Sequence, residues 1–462
     1  MRKLLAVTLL AGMMACDFPT PNEPEPPPPP PIPPGPPVPP PPPQSPEAQL
    51  RNILVATGVW PPQPAPPRNA ALVSLGQALM FDKILSGNRD ISCATCHHPA
   101  SASGDGLTLS IGTGGTGTGS ERALGSGQFL ARNAPALFNL RDLIALFWDG
   151  RVGVVGGVPF VPPGVTLPPG ITGAVAAQAM LPVTVREEMR GHAGDVDVLG
   201  NANELATIDD DNVQEIWRAV MRRLLTIPEY VAMFEAAFPG VPREQLGFQH
   251  AANAIAAFEV DAFTTGLTPL DRFVAGEDAA LRPEQLRGGL LFTGRARCIS
   301  CHSGPLLAVP TFLNIGVPQV GPGRAPGTPL DWGQGGATGR DNQRFLFRTA
   351  PLRNVELTAP YMHNGAYATL TAVVRHYNDV ERANRTYDVS QLPPALRSLH
   401  RGDETTISTV LATLDVRLRT PFGLSEQEIA DIVEFLKSLT DPRAGEMTAV
   451  APGRVPSGLP ID

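Results

Sequence analysis

The sequence predicts an all-α protein built from two like halves, and three observations carry that reading. The pattern Cys-x-x-Cys-His occurs twice, at residues 93–97 and 298–302, each time after a short apolar run with helical spacing. Each half then closes in an amphipathic segment, "FQHAANAIAAFEVDAFTT" near 248–265 and "LSEQEIADIVEFLKSL" at 424–439. No convincing sheet pattern accompanies them.

The chain opens with "MRKLLAVTLLAGMMAC", two basic residues and an apolar run ending in a cysteine. This is the shape of a bacterial secretion signal and is too short to span a membrane as an ordinary helix. It resembles a lipoprotein signal, residues 1–15, with cleavage before Cys16 and lipid on that residue; a plain signal peptide is the alternative. Both place the protein outside the cytoplasm, in the periplasm, with any membrane attachment made through the lipid. The stretch "PNEPEPPPPPPIPPGPPVPPPPPQSPE" has nothing to bury, and residues 16–49 read as a disordered, stiff polyproline linker. At about 3.1 Å per residue it could hold a domain roughly 80 Å from its anchor. The net charge is −8, and without Arg2 and Lys3 it is −10. That argues against nucleic acid and against electrostatic binding to acidic lipid, and it is compatible with a basic redox partner.

There are five cysteines: Cys16, Cys93, Cys96, Cys298 and Cys301. The last four could form two disulfides in an exported chain, and one motif alone could be half a zinc site. Two copies of C-x-x-C-H that consume every cysteine after the leader point instead to two covalently attached haem c groups. Thioethers at the cysteines would fix each porphyrin, with His97 and His302 as proximal iron ligands. The repeat extends upstream, where Leu75, Leu79 and Phe81 match Leu286, Leu290 and Phe292 in spacing. Helix, haem motif, loop and helix is the layout of a cytochrome c-like domain. The predicted fold is therefore two such domains, 50–268 and 269–443, followed by a disordered tail at 444–462. Ser425 and Glu428 form a capping box for the last helix. Glycine- and proline-rich stretches at 152–173 and 316–340 read as loops.

Further motifs join the two haem sites: "FWDGR" at 147–151, Gln178 with Glu188 ten residues on, and "PLRNVELTAPYMHNG" at 351–365 followed by "TLTAVVRHYN". With them, residues 70–442 resemble the bacterial di-haem cytochrome c peroxidase and MauG family. The resemblance implies that Glu188 and Gln178, with Pro182, are distal groups at the first haem. On its own, "VREEMRG" would make Glu187 an equal candidate. It implies that Trp148 lies between the haems as an electron relay, and that Asn133, Thr358 and Pro360 hold a calcium ion between the domains. It implies a far ligand for the second iron seven positions after Leu370, which is Tyr377; His376 and Met362 are rivals. Adjacent helical residues point about 100° apart, so only one of Tyr377 and His376 can face the iron. Arg151, Arg348 and Arg353 are candidate propionate partners, and His363 would brace a propionate or the interface.

In the peroxidase branch a histidine shortly after the first haem motif caps the first iron and must leave before peroxide binds. Here "LSIGTGGTGTGS" occupies that region and holds no histidine, and His98 adjoins the proximal ligand and cannot reach round the porphyrin. The first iron is therefore expected to be open, with a swing of His192 or His250 as the alternative. The resemblance implies an oxidoreductase of the cytochrome-c peroxidase type. It would reduce hydrogen peroxide with electrons from a small c-type cytochrome or cupredoxin. The alternative is MauG-like storage of two oxidising equivalents for use on a partner protein's aromatic residues. A non-catalytic electron carrier would need a six-coordinate first haem, and oxygenation of an organic substrate is a further reading.

Overall fold

Two helix pairs organise the protein, and each closes on a glycine. In the computed structural model, which describes residues 44–325 and 327–462, the Ala70–Phe81 helix packs on the Phe248–Ala262 helix. A Cβ on Gly76 would lie 1.9 Å from the Ala254 carbonyl oxygen, and one on Gly288 would lie 1.9 Å from that of Asp431. The Pro283–Thr293 and Glu426–Lys437 helices thus repeat the first pair, with Phe258 and Phe435 in equivalent contact. This alignment sits one residue off the match read from the leucines. Leu75, Leu79 and Phe81 are fully buried, whereas Leu286 and Leu290 are only partly covered. The capping box forms: Ser425 N–H donates to Glu428 Oε2 at 2.9 Å, and Glu428 N–H to Ser425 Oγ at 3.3 Å.

Two apolar cores follow from these pairs. One gathers Leu79, Phe81, Phe234 and Phe258, the other Leu270, Phe292, Ile432 and Phe435. The chain does not respect the sequence-derived domain limits. Helix Pro46–Ala56, read as the linker's end and the start of the first domain, buries Leu50 and Leu54 in the second core. Ser45 accepts the Ala48 N–H and caps this helix. Residues 444–462, expected to be disordered, run back over the first half instead. Ala444, Met447 and Val455 join the first core, and the Arg454 guanidinium donates to both Glu229 carboxylate oxygens at 2.9 Å. Ser457 Oγ donates to Asp82, and Asp462 meets Lys83. The signal, Cys16 and the linker up to residue 43 lie outside the described residues.

The all-α expectation needs a small correction. Strands β1 (Ala145–Leu146), β2 (Val152–Val155) and β3 (Val158–Phe160) form an antiparallel sheet, with β2 and β3 inside the 152–173 stretch read as loop. Gly156 and Gly157 both have positive φ, as a two-residue hairpin turn of this hand requires. Within 316–340, Gln319–Val320 pairs with His400–Arg401. No helix among the described residues is long and apolar enough to cross a membrane.

Candidate functional site

The first Cys-x-x-Cys-His motif is one helical turn, Cys93–Cys96, braced by the Ser92 N–H donating to Thr95 Oγ1 at 2.9 Å. His97 Nδ1 stands 3.1 Å from the Ser103 carbonyl. A carbonyl can only accept, so Nδ1 carries the proton and Nε2 keeps its lone pair. The second motif repeats this, with His302 Nδ1 donating to the Leu307 carbonyl at 2.9 Å. Burial lowers the His97 pKa and pushes that of His302 down to about 4, so both rings are neutral near pH 7. All four thiols are unpaired, so neither disulfide is formed. The side chains of Cys93, Cys96, Cys298 and the two histidines lie deep in the fold yet are only partly covered, which means that they face internal voids. Fixed tautomers and unpaired cysteines beside voids suit covalent haem and fit a disulfide or a closed zinc site poorly.

The loop after the first motif is pinned. Thr113 donates its N–H to the Glu188 carbonyl at 3.0 Å and its hydroxyl to Asp90, while Asn88 donates to the Thr113 hydroxyl at 3.0 Å. Arg122 donates to the carbonyls of Ile111, Gly112 and Gly117 at 2.7–2.8 Å. A Cβ on Gly112 would lie 1.8 Å from the Glu187 carbonyl oxygen, so the loop lies directly on the turn that bears Glu188. That turn, Arg186–Arg190, is π-helical, a form concentrated at functional sites. Arg186 Nε donates to Asp210 at 2.7 Å, and Arg190, itself buried, reaches the same carboxylate. Its two glutamates point apart: Glu187 is exposed and Glu188 turns inward. Burial raises the Glu188 pKa, and the positive charges of Arg151 and Arg324 oppose the rise. Its charge also acts on Cys93 and Cys96, so it lies on the side of the first motif. Gln178, on the Ala174–Ala179 helix, is half-buried, and its side-chain amide has no protein partner. The Pro182–Thr184 turn separates them along the chain and packs on the Glu188 turn. His250 accepts the Gly247 N–H and packs edge-on against Phe238, and His192 lies beside Glu187 at the polar outer side of this loop.

A cavity of about 250 Å³ is lined by Cys298, Cys301, His302, Met362 and Tyr377. His376 points away. Its Nδ1 meets Tyr367 Oη at 2.9 Å and its Nε2 the Ile315 carbonyl at 2.8 Å, so both nitrogens are satisfied. The Tyr377 phenol has no hydrogen-bond partner. Asn133, Trp148, Thr358, Pro360 and His363 line the same cavity, as does Asp105 from the first half. Asn133 Nδ2 donates to the Leu107 carbonyl at 2.7 Å, which leaves its amide oxygen for another donor or a cation. Arg353 does not fit a propionate role. Its guanidinium is spent on Asp271, Pro305 and Trp60. Arg348 keeps one buried unpartnered nitrogen, Nη1, and lies 5.5 Å over the Trp148 ring.

Trp148 is held from both sides. Its Nε1–H donates to the Asn133 carbonyl at 2.9 Å, and its own carbonyl accepts the Arg348 N–H at 2.9 Å. Next to it Arg132 bridges Asp149 at 2.6 Å and Asp331 at 2.6 and 2.8 Å, all three buried. Burial would raise both carboxyl pKa values, but the guanidinium outweighs it, holding Asp149 well below the usual carboxylate range and lowering Asp331. Removing it would leave the buried Asp331 charge without a guanidinium partner, while Asp149 would keep only Arg151 at 2.9 Å. Arg132→Ala is expected to cost about 3–5 kcal/mol, measured by denaturant unfolding of the holoprotein; a loss under about 1 kcal/mol would match an exposed pair.

A family model described as di-haem cytochrome c peroxidase matches residues 70–279. The chain is 31% identical over 415 residues to the cytochrome-c peroxidase IdrP1 of Denitromonas iodatirespirans, covering 83% of this chain and 87% of that protein. It is 29% identical to the methylamine utilization protein MauG of Methylorubrum extorquens, over 81% of this chain and 80% of that one. The chain belongs to the di-haem cytochrome c peroxidase family. A solved structure of a MauG-like protein associated with microbial copper homeostasis agrees in fold, at a TM-score of 0.56 and 25% identity over 83% of this chain and 94% of that one.

As a member of that family the protein is an oxidoreductase that uses haem. Its sequence hid several groups in the site. Arg132 and Asp331 carry no motif, and Arg324 reaches the charge environment of Glu188 from the second half. Glu259, on the Phe248–Ala262 helix, is 5% exposed and has a buried Oε2 without any partner. Burial lifts its pKa to about 8, and its charge acts on the Cys93 thiol. Because the folded pKa exceeds the unfolded one, the folded state binds the extra proton, and stability falls as pH rises from about 4.3 to 8. Glu259→Gln is expected to flatten that fall in denaturant midpoints measured across the window; an unchanged slope would remove Glu259 as its cause.

Proposed function

We propose that the protein reduces hydrogen peroxide to water at its first haem, in the periplasm, with electrons from a small c-type cytochrome or cupredoxin. The observation that carries this is the inward carboxylate of Glu188, held beside the first motif by a loop that offers no histidine. Cys93 and Cys96 would attach a haem and His97 would ligate its iron, which would supply peroxide binding and storage of the two oxidising equivalents. The chain's own groups handle the protons. Glu188 accepts the proton of bound peroxide at a carboxylate oxygen and returns it to the departing oxygen as water forms. The Gln178 side-chain N–H donates a hydrogen bond to the charge that builds as the oxygens separate. Burial brings the Glu188 pKa closer to neutrality, which suits both halves of that exchange.

Cys298 and Cys301 would attach the second haem, with His302 and Tyr377 as its iron ligands, and Trp148 would pass electrons between the sites. The free amide oxygen of Asn133 and the carbonyls of Thr358 and Pro360 suit a calcium ion, a hard cation that takes oxygen donors. A lipid on Cys16 would tether the enzyme to a bacterial membrane. The test is turnover of the di-haem protein with a reduced c-type cytochrome. Two donor molecules should be oxidised per peroxide, and no donor oxidation above that of free haem would overturn the reading. A second reading, MauG-like oxidation of a partner's aromatic residues, is favoured by one observation. Tyr377, not its neighbour His376, faces the second cavity. A phenolate lowers an iron's potential and favours its oxidised forms.

A further inference from the structure

Behind the second cavity runs an unbroken file of aromatic rings. The Tyr377 ring on the cavity wall lies 5.5 Å from that of His376, centroid to centroid. His376 lies 5.2 Å from Tyr367, Tyr367 lies 5.7 Å from Tyr387, and Tyr387 stacks on His400 at 4.7 Å. The inner members are closed off: His376 is 0% and Tyr367 3% exposed. Tyr387 and His400 are half-buried, next to exposed Thr386, Asp388 and Val389. The file thus leads from the cavity to the surface in four steps, each under 6 Å.

The hydrogen bonds give this file a direction for protons. The Ile315 carbonyl can only accept, so His376 Nε2 carries the hydrogen at 2.8 Å. Nδ1 is therefore the lone pair, and Tyr367 Oη–H donates to it at 2.9 Å. A phenol is hard to oxidise while it keeps its proton, and Tyr367 has an imidazole in line to take it. Tyr387 Oη–H donates to the Ala366 carbonyl at the half-exposed end.

We propose that Tyr367 and Tyr387 are redox-active residues that carry single electrons from the surface at Tyr387 and His400 to the second haem site. This rests on the reading that a haem occupies the cavity lined by Cys298, Cys301, His302 and Tyr377. The oxidant is hydrogen peroxide, acting through the peroxidase reaction. One electron leaves Tyr367 toward the oxidised site as its phenolic proton crosses to His376 Nδ1. The products are a neutral tyrosyl radical and an imidazolium. Tyr387 then gives an electron to Tyr367, the proton returns from His376, and the Tyr387 proton goes to solvent. A small redox protein docked at this surface reduces Tyr387 with one electron, and solvent returns its proton. The net transfer is one electron inward, with every tyrosine restored.

The test uses the di-haem holoenzyme, made with ring-deuterated tyrosine, mixed with stoichiometric peroxide without donor and freeze-quenched for electron paramagnetic resonance. The expected result is a tyrosyl radical narrowed by the deuterium and lost in the Tyr367→Phe/Tyr387→Phe double variant, whose peroxide-oxidised state also outlives that of the wild type. Tyr387→Trp should restore a radical with tryptophan character. Unchanged resting haem spectra report that the variants are folded and that Tyr377 is undisturbed. A double variant whose radical and oxidised-state lifetime match the wild type would overturn the relay. A wild type whose second haem shows no absorption change with peroxide would overturn the underlying reading instead, before any tyrosine signal is consulted.

Discussion

Replacing Glu188 by glutamine should slow the reaction with peroxide by about 10²–10⁴-fold, the usual contribution of a positioned proton-transfer group. Glutamine has nearly the same shape, and the turn that carries it is held by Arg186, Arg190 and the Thr113 N–H, none of which contacts the Glu188 side chain. The resting haem spectra of the variant should therefore match the wild type, which separates lost chemistry from a damaged site. Stopped-flow mixing with peroxide reads the effect, and Glu187→Gln, on the exposed side of the same turn, is the control. The pH dependence follows from the direction of the shift. Burial raises the Glu188 pKa and only the carboxylate can take the first proton, so the wild-type rate should climb with pH through a midpoint above that of free glutamate. Glu188→Gln should be flat there. A variant with wild-type rate and pH profile would remove Glu188 from the mechanism.

The second large effect is expected at Tyr377. Exchanging an anionic phenolate for a thioether destabilises the oxidised iron, so Tyr377→Met should raise the potential of the second haem. Axial ligands span about 0.8 V in haem proteins, and a rise of about a few tenths of a volt is a moderate use of that range. Redox titration of the second haem band measures it. Met362 lines the same cavity, so Met362→Leu is the companion variant. If Met362→Leu shifts the potential and Tyr377→Met does not, the methionine is the ligand. The size of the effect matters to both functional readings, because a high-potential second haem would pass electrons readily but would share oxidising equivalents poorly.

The legible parts of the protein were those where chemistry demands a fixed local spacing. The attachment motifs are five residues long, and the last helix announces its start through Ser425 and Glu428, three residues apart. What the sequence hid depends on distant partners. The inward turn of Glu188 needs a π-helical turn seated on Gly112, and nothing in "VREEMRG" distinguishes it from Glu187. The outward turn of His376 is enforced by the Ile315 carbonyl, 61 residues earlier. Residues 444–462 look structureless because their partners, Asp82 and Glu229, lie in the first half of the chain. The hairpin at 152–160 is different. Its Gly156-Gly157 turn between valine-rich segments is a readable signal that the abundance of glycine and proline in that stretch outweighed. Arg132 joins Asp149 to Asp331, 199 residues away, and no spacing rule reaches so far.

We propose that no side chain among the described residues caps the first iron, which would leave it ready for peroxide without prior reduction. Electron paramagnetic resonance of the purified di-ferric protein, before and after stoichiometric peroxide, tests it most directly. One high-spin and one low-spin ferric signal should be present at rest, and both should disappear on mixing with peroxide. Two low-spin signals that ignore peroxide until an electron is added would contradict the account. They would mean that a residue such as His192 reaches the first iron after all.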